Sequence, residues 1–138
     1  AFFGGLGGNA GLFSTAREVA RIYQMLLNGG ELDGQRYVSK ETCQLFTTEV
    51  SKISRRGLGF DKPDMTDSKK GNCAPGVPAE VYGHTGFTGT CAWVDPVNEL
   101  VYVFLSNRVY PDATNRKLNQ LHIRERIQEA IYDAMKKK

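Results

Sequence analysis

Gly83-His84-Thr85-Gly86-Phe87-Thr88-Gly89-Thr90 runs directly into Cys91-Ala92-Trp93-Val94-Asp95. The first eight residues hold three glycines, three threonines and one of the chain's two histidines. A glycine-dense polar segment therefore enters a strand-forming one. Glycine inside a strand pattern marks a bulge or a close approach by a ligand or another backbone. Backbone N–H groups at such an edge can bind a ligand oxygen. The other reading of these residues is a flexible loop ahead of a hairpin.

Downstream, Asp95-Pro96-Val97-Asn98-Glu99 is a turn, and Leu100-Val101-Tyr102-Val103-Phe104-Leu105 is continuous and apolar. The turn is short enough to join two antiparallel strands. The apolar run predicts a strand buried on both faces. From about Ala113 the pattern is helical, with Leu118, Leu121, Ile127, Ile131 and Met135 on one face and Arg124 interrupting it. Upstream, Val81 to Thr85 is a short strand and residues 61–80 are a long loop carrying Pro63, Pro75 and Pro78. Loops of that length in a compact domain are functional or disordered. Arg56-Gly57-Leu58-Gly59-Phe60 reads as another short strand.

Nearer the N-terminus, Thr15-Ala16-Arg17-Glu18 is a capping box, with Ser14 as a rival N-cap. Val19, Ile22, Tyr23, Leu26 and Leu27 then mark a helical face that Asn28-Gly29-Gly30 terminates, predicting a helix over 15–28. Asp33-Gly34 suggests a small hairpin or irregular turn, and Ser39 caps a short helix reaching about Thr48. Gly5-Leu6-Gly7-Gly8-Asn9-Ala10 matches the spacing of a dinucleotide fingerprint but lacks the preceding strand and βαβ context it requires. The element order is α+β: an antiparallel β-sheet with packed helices.

Composition narrows the function classes. The 138 residues suffice for one core, with 41% hydrophobic and 24% charged residues. A net charge of +3 with scattered cations does not argue for nucleic acid. No apolar run approaches the roughly 18 residues of a membrane span. Cys43, Cys73 and Cys91 form no Cys-x-x-Cys pair and have no histidine at metal-ligand spacing, so no metal or cofactor is implied. Cys91 is expected to pack inside its strand as a small hydrophobe. The opening Ala1-Phe2-Phe3-Gly4 without an initiator Met reads as a cut piece or mature product.

His84-Thr85-Gly86 resembles the third motif of the serine β-lactamase and penicillin-binding-protein superfamily, a Lys-Thr-Gly in which His often replaces Lys among related esterases and peptidases. GHTGFTGTCAWVDPVNELVYVFLSNRV resembles the paired strands that carry and follow that motif, and GGNAGLFSTAREVARIYQMLLNGG the segment leading into a helix ahead of them. Gly57-Leu58-Gly59-Phe60 matches the strand between. The chain is similar to the β-lactamase-related domain at the C-terminus of some bacterial N-acetylglucosaminide glycosidases. The resemblance makes residues 1–138 a single partial domain, the C-terminal portion of a β-lactamase/transpeptidase-like fold.

That resemblance implies acyl transfer. The Phe87 N–H would donate to the oxyanion. His84 would contact a substrate carboxylate or the catalytic network, Thr85 would offer its hydroxyl to the same carboxylate, and Gly86 would keep the strand flat for substrate approach. The family nucleophile is a Ser in Ser-x-x-Lys. None of Ser14, Ser39, Ser51, Ser54, Ser68 or Ser106 has Lys three residues later, and no Tyr-x-Asn or Ser-x-Asn occurs. Both motifs are expected upstream of residue 1, leaving the isolated chain inactive. The implied partners are a small-molecule or peptidoglycan-like substrate and the missing N-terminal part of the domain. Leu100 to Leu105 would then be an open edge, favouring dimerisation or a domain swap. The implied compartment is bacterial, periplasmic or extracytoplasmic. The alternative is a non-catalytic β-lactamase-like appendage of a larger enzyme, or a free-standing interaction module.

Overall fold

The computed structural model describes residue 7 and residues 11–67 and 72–136. The glycine-rich opening, with its dinucleotide-like spacing, lies almost entirely outside them.

Helix α1 spans Ala16–Leu27. Thr15 wins the N-cap: its Oγ1 accepts from Glu18 N–H at 3.3 Å, and Glu18 Oε2 accepts from Thr15 N–H at 2.9 Å. Ser14 Oγ also donates to Glu18 Oε2. These bonds hold the Glu18 carboxyl below its usual range, the Thr15 backbone bond foremost. The helix packs on β4 and β5 of the main sheet with Val19, Tyr23 and Leu26 half-buried, while Ile22, expected on that face, is 53% exposed. Asp33-Gly34 closes the hairpin of β1 (Glu31–Leu32) and β2 (Gln35–Arg36), both turn residues having positive φ. Ser39 caps α2 (Lys40–Thr47) by accepting from Thr42 N–H.

The main sheet is antiparallel in the order β3 (Tyr82–Thr85), β4 (Cys91–Asp95), β5 (Leu100–Phe104). Its register pairs Trp93 with Gly83 on one side and Tyr102 on the other. Alternation then sorts the side chains. Cys91, Trp93 and Tyr102 share one face and form the core with Val77 and Val81, covered by Ile131 and Tyr132 of the C-terminal helix. Tyr82 and Val94 share the other face, where Tyr82 meets Phe60 edge-on at 5.4 Å and Phe60 meets Tyr23 of α1 at 6.3 Å.

Four expectations need correction. Every residue of β4 is buried, whereas only Tyr102 is buried in β5. The strand covered on both faces is thus the central one, and β5 lies at an edge with no further partner among the described residues. Residues 56–60 form bends rather than a strand, Gly59 adopting φ +95°. The pairing falls one residue later, where Asp61 and Gly83 exchange both backbone bonds at 2.7 and 3.0 Å. The C-terminal helix is two helices, α3 (Lys117–Gln120) and α4 (Ile123–Met135), broken where His122 turns left-handed at φ 49°. Its buried face is also polar at two positions, Arg124 and Gln128, while Leu121 and Ile127 stay exposed.

Those polar groups secure the long loop. Gln128 Oε1 accepts from Ala74 N–H at 2.9 Å in the core. Asp61, 1% exposed, lies 3.1 Å from Arg55 Nη2 and accepts from Asn72 Nδ2 at 3.0 Å. Lys62 Nζ donates to the Thr47 and Glu80 carbonyls, and burial lowers its pKa. The described residues of this loop, which form no strand, are thereby tied to both α4 and the segment leading into β3.

Candidate active-site wall

The predicted residues His84, Thr85, Gly86 and Phe87 occupy the end of β3 and the turn that follows. Beyond Gly83, where Asp61 pairs, the outer edge of β3 has no strand beside it among the described residues. Gly86 N–H donates inward to Thr90 O at 2.8 Å, and Gly86 O accepts from Gly89 N–H at 2.9 Å. A trans peptide sets its C=O and N–H on opposite sides. The Gly86–Phe87 peptide therefore turns the Phe87 N–H away from the turn interior, and it meets no acceptor among the described residues.

The turn is clamped from behind. Thr88 O accepts from Arg108 N–H at 2.9 Å and from Ser106 Oγ at 3.1 Å. Gly89 has φ +95°, and a Cβ there would lie 2.6 Å from Ser106 Oγ. Glycine is required at that position for both reasons. The Phe87 ring is 78% exposed, with the Arg108 guanidinium 4.8 Å above it.

His84 Nδ1 lies 2.6 Å from Thr85 O. A carbonyl only accepts, so Nδ1 donates in this contact and Nε2 is the ring nitrogen that it leaves free. His84 pairs with Ala92 and Thr85 with Cys91, so the two side chains leave on opposite faces. A single carboxylate can meet both only by standing across the open edge. Thr85, Gly86 and Phe87 also line a polar depression of about 280 Å3 with Asn72, Arg108, Asn119 and Arg124. Sequence reasoning missed the last four. Arg124 alone left a signal, as the charge breaking an apolar helical face. Among the described residues no group of His, Cys, Asp or Glu could hold a metal ion, and no helix is long and apolar enough to cross a membrane.

The structure is thus a helix-flanked antiparallel sheet whose edge strand runs out through His-Thr-Gly beside an N–H unpaired among the described residues. The Beta-lactamase family model matches residues 2–125, and the chain belongs to that family. It is 36% identical over 119 residues to a putative D-alanyl-D-alanine carboxypeptidase of Escherichia coli O157:H7, covering 84% of this chain and 26% of that protein. A relative of the same description from Salmonella agona (strain SL483) is 35% identical over 119 residues, covering 84% of this chain and 27% of that protein. Among solved structures, a penicillin-binding protein homolog from Caulobacter crescentus superposes with a TM-score of 0.54 at 27% identity, over 68% of this chain and 26% of that one. The chain thus spans about a quarter of the length of these relatives.

Proposed function

We propose that this chain supplies one wall of a serine hydrolase site that opens an amide or ester by acyl transfer, on a cell-wall-like peptide substrate outside the bacterial cytoplasm. The observation that carries the reading is the outward, acceptor-free Phe87 N–H on a turn fixed by Gly86, Gly89 and Thr88. A serine hydroxyl from a Ser-x-x-Lys segment gives its proton to that lysine and attacks the substrate carbonyl carbon; the amine or alcohol then leaves with a proton as its bond to that carbon breaks, and water later releases the acyl group from the serine. The carbonyl oxygen gains charge, and the Phe87 N–H stabilises it without reorganising. His84 Nε2 supplies a hydrogen bond or a positive charge to a substrate carboxylate or to the catalytic network, and the Thr85 hydroxyl donates to an anionic end of the substrate. The relatives described as putative carboxypeptidases support the substrate class.

No serine of this chain stands three residues before a lysine. The 138-residue chain alone is therefore expected to leave chromogenic esters and cephalosporins intact. The open edge of β5 supports pairing with further strands of the same domain or with a second copy. The test compares the purified chain with a longer product of the same gene that includes a Ser-x-x-Lys segment. Hydrolysis by the longer protein, cut about a hundredfold in His84→Ala, supports the reading. Turnover by the 138-residue chain, lost in His84→Ala, would overturn it, as would a longer protein indifferent to that substitution.

A further inference from the structure

The turn that follows α2 holds an isoleucine out in solvent. Ser51 and Ser54 pair across it as an antiparallel bridge, and Ile53, inside that bridge, is 98% exposed. Ser51 Oγ accepts from Ile53 N–H at 3.2 Å and Ser54 Oγ accepts from Arg56 N–H at 3.3 Å. The turn is therefore formed by its own bonds. Its base is tied down as well. Arg55 Nε donates to Lys62 O at 2.8 Å, and Lys62 Nζ donates to Thr47 O at 3.2 Å. Gly57 lies so close to the end of α2 that a Cβ there would stand 2.4 Å from Phe46 O. These ties join the segments carrying Leu45, Phe46, Val50 and Leu58, all of them exposed, to the base of the turn.

Cations accompany this apolar surface. Residues 45–62 hold Lys52, Arg55, Arg56 and Lys62 against two carboxylates, Glu49 and Asp61. Asp61 is buried, 3.1 Å from Arg55 Nη2 and 3.7 Å from Arg56 Nε, whereas Lys52 is exposed beside Ile53. Exposed apolar patches mark protein or membrane contacts. The cores of protein interfaces are depleted in lysine, and here Lys52 stands between Val50 and Ile53 at the tip itself. A projecting apolar tip with a cationic collar suits a bilayer. Its apolar groups enter the acyl boundary while ammonium and guanidinium groups stay among the lipid phosphates. We propose that the turn at residues 50–56 docks the chain on an anionic lipid surface, with Ile53 inserted and Lys52 and Arg56 against the phosphates. The turn contributes no residue to the wall at His84 and Phe87, so lipid binding and hydrolysis fail independently.

The experiment is flotation of the 138-residue chain with vesicles of phosphatidylcholine alone and of an equimolar mixture with phosphatidylglycerol. Binding to the mixed vesicles that weakens as salt is raised is expected. Ile53→Ser and Lys52→Glu should each weaken it about tenfold or more. Both side chains lie outside the core, so an unchanged urea midpoint shows that the fold is intact. Val97→Ser, at an exposed apolar position on the β4–β5 turn, should bind as the parent chain does. Absence of flotation, equal binding to both vesicles, or binding indifferent to Ile53→Ser overturns the proposal. So does capture of the separately expressed upstream part of the same gene that Ile53→Ser abolishes, because the turn would then be a protein interface.

Discussion

Gly83 and Gly86 sit three residues apart, yet alanine should have opposite consequences at the two positions. A Cβ at Gly83 would lie 2.1 Å from Ala92 O, 2.6 Å from Trp93 Cε3 and 2.8 Å from Trp93 Cα. Two of those atoms are backbone of the central strand, and Trp93 itself is 1% exposed. Neither can retreat without breaking the β3–β4 register. Overpacking alone costs about 1–3 kcal/mol, and forced backbone displacement places Gly83→Ala at the top of that range or above. At Gly86 the nearest atom is Thr90 Oγ1 at 2.3 Å, and the next is 3.6 Å away. A χ1 rotation of Thr90 relieves that contact, and alanine recovers roughly 0.4–1 kcal/mol by restricting the unfolded chain. Gly86→Ala should therefore change stability by about 1 kcal/mol or less. Urea unfolding followed by Trp93 fluorescence reads both. Equal midpoints for Gly83→Ala and the parent chain would refute the packing argument, as would loss of folding in Gly86→Ala.

Other outcomes follow from the polar ties. Tyr132 Oη donates to the buried Asp95 Oδ2 at 2.6 Å, so Tyr132→Phe should cost about 1.5–3 kcal/mol in urea; an unchanged midpoint would count against that bond. Asp61→Ala removes the partner of Arg55 and Asn72 and should cost about 2–3 kcal/mol while releasing residues 61–80 to proteases. An unchanged cleavage rate there would show that the loop is held by other means. Burial pushes the Cys91 thiol up to about 11, and burial, then Asp61, pushes Cys73 higher still. The unfolded thiols release protons near 9.0 while the folded ones keep theirs. Stability should thus be full below that pH and fall as pH rises through the Cys91 value. A urea midpoint independent of pH from 8 to 11, on the order of the range these thiols span, would contradict it.

Much of this was readable in the chain, and the reasons differ by element. The Thr15-Glu18 capping box, the Asp33-Gly34 turn and the Ser39 cap are local devices, so their residues alone placed the elements. The place of His84-Thr85-Gly86 at the end of a strand was readable because the flanking strand patterns stand in order. The misreadings are all tertiary. Which apolar strand is covered twice depends on sheet order, so β4 rather than β5 is the buried one. The helix break at His122 has no glycine or proline to announce it. The burial of Gln128 follows from the Ala74 N–H that the 61–80 loop presents to α4, which no helical periodicity encodes. The two-arginine depression is assembled from four separate segments, so spacing could not reveal it.

The claim that this chain carries an oxyanion wall is tested most directly by a crystal structure. The crystal would hold the longer, nucleophile-bearing protein trapped with a boronic acid or phosphonate on its serine. The account predicts the analogue's oxyanion-mimicking oxygen about 2.7–3.1 Å from the Phe87 nitrogen, within the depth of the open edge beyond Gly83. An oxygen held by donors elsewhere, with the Phe87 N–H facing solvent or another protein acceptor, would contradict it.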